Sequence, residues 1–179
     1  MNLGKRIMVM GCSGSGKSTL ARQLGKQLNL PVVHGDKLCW QPGWVFTPKD
    51  EMTQAFHAAA AQPAWVIDGD YRACAFEYRF ERADTVIFLD ISPFVCLWRA
   101  LKRRAGKSPR PDMGEGYKNT LRGFRLKNIF GYAKQSHIAW LAGIQPHRQV
   151  YHLKGRRAVK RFMSQLPAPT QYTPASTGR

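Results

Sequence analysis

Acidic residues are scarce in this chain: 11 Asp+Glu stand against 28 Lys+Arg in 179 residues, a formal charge of +17. Such a field attracts phosphates, nucleic acid or anionic membrane and does not by itself choose among them. Cysteine is sparse too. Cys12, Cys39, Cys74 and Cys96 lie far apart, with no C-x-x-C pair and no histidine at metal-ligand spacing. That argues against a zinc site or disulfide framework and for reduced, mostly buried thiols. No run of about 18 apolar residues occurs, and the apolar stretch in MNLGKRIMVMG is too short for a signal peptide, so a soluble cytoplasmic protein without a membrane partner is expected. Internal repeats are missing, as are helix-turn-helix, zinc-finger and RNA-binding motifs. Direct nucleic-acid binding is therefore the less favoured use of the charge.

What is present is a 44% apolar chain, enough for one domain over residues 1–166. Ile7 to Met10 reads as a buried strand and Lys17 to Leu28 as an amphipathic helix. A second strand begins at Pro31 and ends near Asp36, a helix covers Pro48 to Gln62, and strands cover Trp65 to Asp68 and Thr85 to Asp90. Pro93 to Ala105 suits a helix with proline in its first turn. Gln149 to Leu153 suits a last strand, and Arg156 to Leu166 a closing helix. Alternation of this kind implies an α/β fold with a parallel sheet covered on both faces and ligands at the carboxyl ends of its strands. WQPGW, from Trp40 to Trp44, reads as an aromatic turn. GKSPRPDMGEG is poor core material and belongs to an expected mobile lid over about 104–128; the tail 167–179 is expected to be disordered.

GCSGSGKS fits G-x-x-x-x-G-K-S/T between a strand and a helix, the context the phosphate-binding loop requires. The backbone of Gly11, Cys12, Ser13, Gly14, Ser15 and Gly16 is expected to wrap an anion at a helix N-terminus. Lys17 would reach the β and γ phosphates of ATP, Ser18 would offer a hydroxyl to Mg²⁺, and Thr19 would support the loop. Asp68 and Asp90 both end apolar strands, and either could serve the magnesium shell; strand periodicity alone leaves the two even. Asp36 could accept a proton from an attacking hydroxyl or orient it, against the plainer role of a helix cap. His34, on the same side of an extended strand as Asp36, could join the site, against the plainer role of a packed histidine.

Arginines gather in the second half. Arg99, Arg103 and Arg104 fall near one helix face, with Arg110 beyond them, and guanidinium groups closing on a transferring phosphoryl group neutralise its equatorial oxygens. Tyr71, Arg72 and Arg79, in and after the DGDY turn, are candidates for substrate binding. Trp40 and Trp44 could stack on a ring or pack against the helix that follows.

With LPVVHGDKLCWQPGW, WVIDGDYR, ERADTVIFLDISPFVCLWRALKRR and RPDMGEG in place, the chain resembles the nucleoside monophosphate kinase-like branch of P-loop proteins. Within that branch it looks like the bacterial group often labelled DNA topology modulation proteins or adenylate kinase-like proteins. The resemblance implies a three-layer sandwich with five parallel strands in the order 2-3-1-4-5, and it tilts the magnesium assignment toward Asp68. It also implies that adenine lies between a lid arginine, Arg104, and the segment around Lys154 and Gly155. The leading expectation is an Mg-ATP-dependent kinase for a small acceptor, acting as monomer or homodimer. A nucleotide-binding regulator associated with DNA is the alternative.

Overall fold

The structure, a computed structural model, describes residues 1–105, 129 and 149–167. Five strands form one parallel sheet: β1 (Arg6–Gly11), β2 (Val32–His34), β5 (Trp65–Asp68), β6 (Thr85–Asp90) and β7 (Gln149–Lys154). Their spatial order is β2-β5-β1-β6-β7, the expected 2-3-1-4-5 arrangement. The register pairs Val9 with Asp68 on one side and with Ile87 on the other. The loop strand is therefore flanked by the two strands that end in acids.

Strand side chains alternate between faces, and each of these strands must serve two cores. Ile7, Val9, Val66, Ile87 and Leu89 pack under α1 (Lys17–Leu28), α5 (Pro93–Ala105) and α6 (Gly155–Ser164), whose Leu20, Leu24, Cys96, Ala100 and Phe162 complete that layer. Met8, Met10, Trp65, Ile67, Val86 and Phe88 turn the other way, onto Phe56 of α3 (Lys49–Ala61) and onto Phe76 and Phe80 of α4 (Phe76–Arg82). The near-continuous apolar runs in the sequence follow from this double burial.

Three local features depart from the expected layout. The second strand stops at His34, and a short helix α2 (Gly35–Cys39) follows, so Asp36 lies in a helix first turn rather than at a strand end. WQPGW is the tip of an antiparallel hairpin, β3 (Trp40–Gln41) with β4 (Val45–Phe46). Its turn is made by Gly43 and Trp44, both at positive φ. β7 runs directly into α6 with Lys154 at the N-cap, leaving no loop around Gly155. Most of the expected lid, Arg110 included, and the tail from 168 onward lie outside the described residues. All four cysteines are free and buried. No helix among the described residues is long and apolar enough to cross a membrane.

Candidate functional site

The turn from β1 into α1 builds the phosphate cradle. Gly14 sits at φ 84°, and a Cβ there would come within 2.3 Å of the Cys96 carbonyl oxygen, so only glycine lets the loop lie this close to α5. Gly16, at φ 103°, is the N-cap of α1, and a Cβ there would meet nothing within 4 Å, so glycine is needed there for its backbone conformation and not for space. Lys17 Nζ donates to the carbonyls of Gly11 at 2.7 Å and Cys12 at 3.0 Å, which holds the ammonium across the loop. Ser18 is half-buried beside it, and Ser13 and Thr19 are exposed. The Ser15 side-chain oxygen is buried and has no partner.

On one side of the loop lies a cleft of about 400 Å³ between α1, α5 and α6. Gly14, Ser15, Gly16 and Thr19 form its floor. Arg99 and Arg103 line it from α5, Arg156, Val159 and Lys160 from α6, and Gln23, Leu89 and Ile91 complete it. Arg99 also donates to the Gly14 and Ser15 carbonyls, at 3.4 Å each. Four cations around an apolar slot at a phosphate loop suit a flat ring attached to several phosphates. Lys154 and Gly155 do not line the cleft; their successors Arg156, Val159 and Lys160 do. They belong to an amphipathic helix, and their direction toward the loop depends on how α6 packs. Arg104 lies in the last turn of α5.

On the other side the acids converge. Asp68 is 2% exposed; its Oδ2 meets His34 Nδ1 at 2.8 Å and its Oδ1 accepts the Gly35 amide at 3.2 Å. Both oxygens are thus committed to holding β2, α2 and β5 together. Asp90 ends β6, on the opposite side of β1, and is tied through one oxygen, Oδ2, to His152 Nε2 at 2.8 Å across β6 and β7. Asp70 stands against the loop instead: Oδ1 accepts the Gly11 amide at 3.3 Å, and Oδ2 is buried without a partner. Gly69, at φ 104°, turns the chain so that the second acid of DGDY points back to the loop. The sequence reading passed over Asp70; its signal was an acid two residues beyond the strand end, across a glycine. A carboxylate oxygen left unpartnered beside the Ser18 hydroxyl's loop is a donor set that fits a hydrated Mg²⁺.

Tyr71 donates from its hydroxyl to Asp36 Oδ1 at 2.5 Å. Burial, and then the Asp36 charge, hold the phenol well above its usual pKa, so it stays a neutral donor. Arg79 does not serve as a substrate ligand. It is fully buried, with its guanidinium donating to the carbonyls of Gly69, Asp70, Tyr71 and Cys74 and stacked 4.1 Å from the Phe56 ring centroid. Burial lowers its pKa to about 10, still charged at neutral pH. It is the strut of the DGDY turn. Arg72 is exposed, 5.7 Å from the Phe76 ring centroid.

Sheet order, phosphate loop and flanking acids together define a P-loop α/β protein with the fold of small-molecule kinases. A family model described as AAA domain matches residues 7–116, and the chain belongs to that family. A search of curated protein sequences found no match. Among solved structures, shikimate kinase from Acinetobacter baumannii in complex with shikimate aligns at TM-score 0.61 and 14% identity, covering 90% of each chain. A gluconokinase from Sinorhizobium meliloti 1021 aligns at TM-score 0.52 and 15% identity, covering 92% of this chain and 94% of that one. Deoxyadenosine kinase from M. mycoides aligns at 0.51 and 15%, covering 89% and 96%.

Proposed function

We propose that the protein is an Mg-ATP-dependent kinase that transfers the γ-phosphoryl group of ATP to a hydroxyl of a small acceptor. The observation that carries this reading is the two-sided site: a cationic cleft and a carboxylate-lined turn meet at one phosphate loop. The kinase names of the structural neighbours accord with it. ATP lies with its base in the α1–α5–α6 cleft and its phosphates over Gly11–Ser18. Lys17 then leaves the loop carbonyls for the β and γ phosphates, and Arg99 and Arg103 neutralise charge on the equatorial oxygens, with Arg104 and Arg110 as further candidates.

Ser18 and, through water, Asp70 would hold Mg²⁺; Asp70 is preferred to Asp68, whose two oxygens are both bonded, and to Asp90, which is tied to His152 across β6 and β7. The bound ion would supply neutralisation of the phosphate charge. Asp36, oriented by Tyr71, accepts the proton of the attacking hydroxyl. In the DNA-associated alternative the basic residues would form an outward stripe. The cations of α6 divide instead, with Arg156 and Lys160 in the cleft. The test is ADP release from Mg-ATP across a panel of nucleosides, nucleotides and hydroxylated metabolites. Acceptor-stimulated turnover that Lys17→Ala abolishes is expected. Unstimulated protein that binds duplex DNA with a steep salt dependence would overturn the reading.

A further inference from the structure

We propose that the acceptor is an uncharged, ring-bearing hydroxyl compound of the nucleoside class, not a monophosphate or a carboxylate. This rests on the kinase reading above and goes beyond it by naming the class.

Charge is distributed against an anion on this side of the loop. From Gly35 to Asp70 the sequence carries Asp36, Asp50, Glu51, Asp68 and Asp70 against Lys37 and Lys49, with no arginine, in a chain otherwise crowded with them. The folded arrangement sharpens the contrast. Asp36 accepts from the neutral Tyr71 hydroxyl and has no ion-pair partner among the described residues, so its charge is not offset by a cation. Of the two guanidiniums beside this turn, Arg79 spends its donors on main-chain carbonyls and Arg72 lies over the Phe76 ring, 5.7 Å from its centroid. A monophosphate here would face like charge without a guanidinium clamp among the described residues.

An aromatic cluster is joined to Asp36 through Tyr71. α2, which carries Asp36, leads straight into the β3–β4 hairpin, and Tyr71, the partner of Asp36, is also hydrogen-bonded by Trp40. Trp40 lies 3.9 Å from Phe46 and 5.6 Å from Trp44 by ring centroids, and Phe46 is 53% exposed. Aromatic faces of this kind hold a planar ring by stacking, and a neighbouring carboxylate accepts hydrogen bonds from sugar hydroxyls. A nucleoside presents both groups and no charge. In the transfer, the bond between the γ phosphorus and the β–γ bridging oxygen breaks, and a bond forms between that phosphorus and the acceptor hydroxyl oxygen. The hydroxyl proton passes to Asp36, and ADP leaves with the bridging electron pair.

The test sets natural ribo- and deoxyribonucleosides against their own 5′-monophosphates and against hydroxy-carboxylates, with the full chain and Mg-ATP, reading ADP release and product mass. At least one nucleoside is expected to exceed its monophosphate by about tenfold or more in kcat/KM. Asp36→Asn should lower kcat for both and shrink that ratio severalfold, because it removes the repelling charge. Trp44→Leu, at the hairpin tip, should raise KM for the nucleoside severalfold and leave ATP binding unchanged. Equal or better use of a monophosphate or carboxylate overturns the proposal and leaves the kinase reading intact. So does a panel in which no nucleoside stimulates turnover or binds beside a non-hydrolysable ATP analogue. Failure of the protein to bind Mg-ATP at all, read by calorimetry, overturns the kinase reading itself.

Discussion

The two sides of the phosphate loop solve opposite problems with the same sheet. Toward α5 and α6, four exposed or half-buried cations surround a slot whose floor is the loop backbone, an environment made for a polyanion. Toward β2 and β5, carboxylates dominate, each held by a neutral donor or a main-chain amide, and the one deeply buried guanidinium serves the backbone. A site that must hold a highly charged donor and then release its phosphoryl group to a hydroxyl benefits from this polarity. In the proposed reaction, cations would lower the energy of the transferring group, while a carboxylate on the far side would take the proton. Among the described residues, Arg99, Arg103, Arg156 and Lys160 bring positive charge to the cleft side of the loop.

Several substitutions break or sharpen that contrast, and their expected effects fall in a clear order. Lys17→Ala should reduce acceptor-stimulated ADP release by about 10³-fold or more, because no other side chain in the loop reaches the transferring phosphates. Arg79→Met should cost about 3 kcal/mol in urea or thermal unfolding, since it strips several buried carbonyls of their donor. In the fraction that remains folded, ATP affinity should change little, because the donor cleft lies on the other side of the loop. The two acids of DGDY should separate: Asp70→Asn raises the Mg²⁺ concentration for half-maximal turnover by about tenfold at unchanged unfolding midpoint. Asp68→Asn instead lowers stability by about 1–3 kcal/mol, by disturbing the His34 and Gly35 contacts. Lys160→Ala should weaken ATP binding by about two- to fivefold, as expected for one exposed cation at a cleft rim.

The smallest effect concerns the start of β1. Asp84 bonds the Arg6 guanidinium at 2.6 Å and both the Lys5 and Arg6 amides at 2.9 Å. Partial burial pushes its pKa up, but those hydrogen bonds outweigh it and hold the carboxyl below its usual value. Its contribution is thus present above the ordinary carboxylate pKa and is lost as pH falls through the lowered one. Asp84→Asn should remove about 0.5–1 kcal/mol at neutral pH and flatten the acid limb of the stability profile, with ATP turnover unaffected.

The sequence by itself determined the phosphate loop, the strands and helices around it, and the parallel sheet they form. The signals there are local: glycines at fixed spacing between a four-residue apolar run and leucines four apart read the same in any context. Helix α1 was legible to the residue for that reason. Short pieces were not. α2, the hairpin and α4 have too few residues to show a period, and α4 buries Phe76, Arg79 and Phe80, a pattern that composition reads as a charged surface. Tertiary structure alone decided what each charged side chain does. Asp68 and Asp70 are two residues apart and chemically identical. Yet the β2–β5 pairing places His34 against one, and the turn at Gly69 aims the other at the loop. Arg79 became a strut and Lys160 a cleft cation because burial and helix direction follow from packing between elements distant in sequence. No window along the chain contains that information.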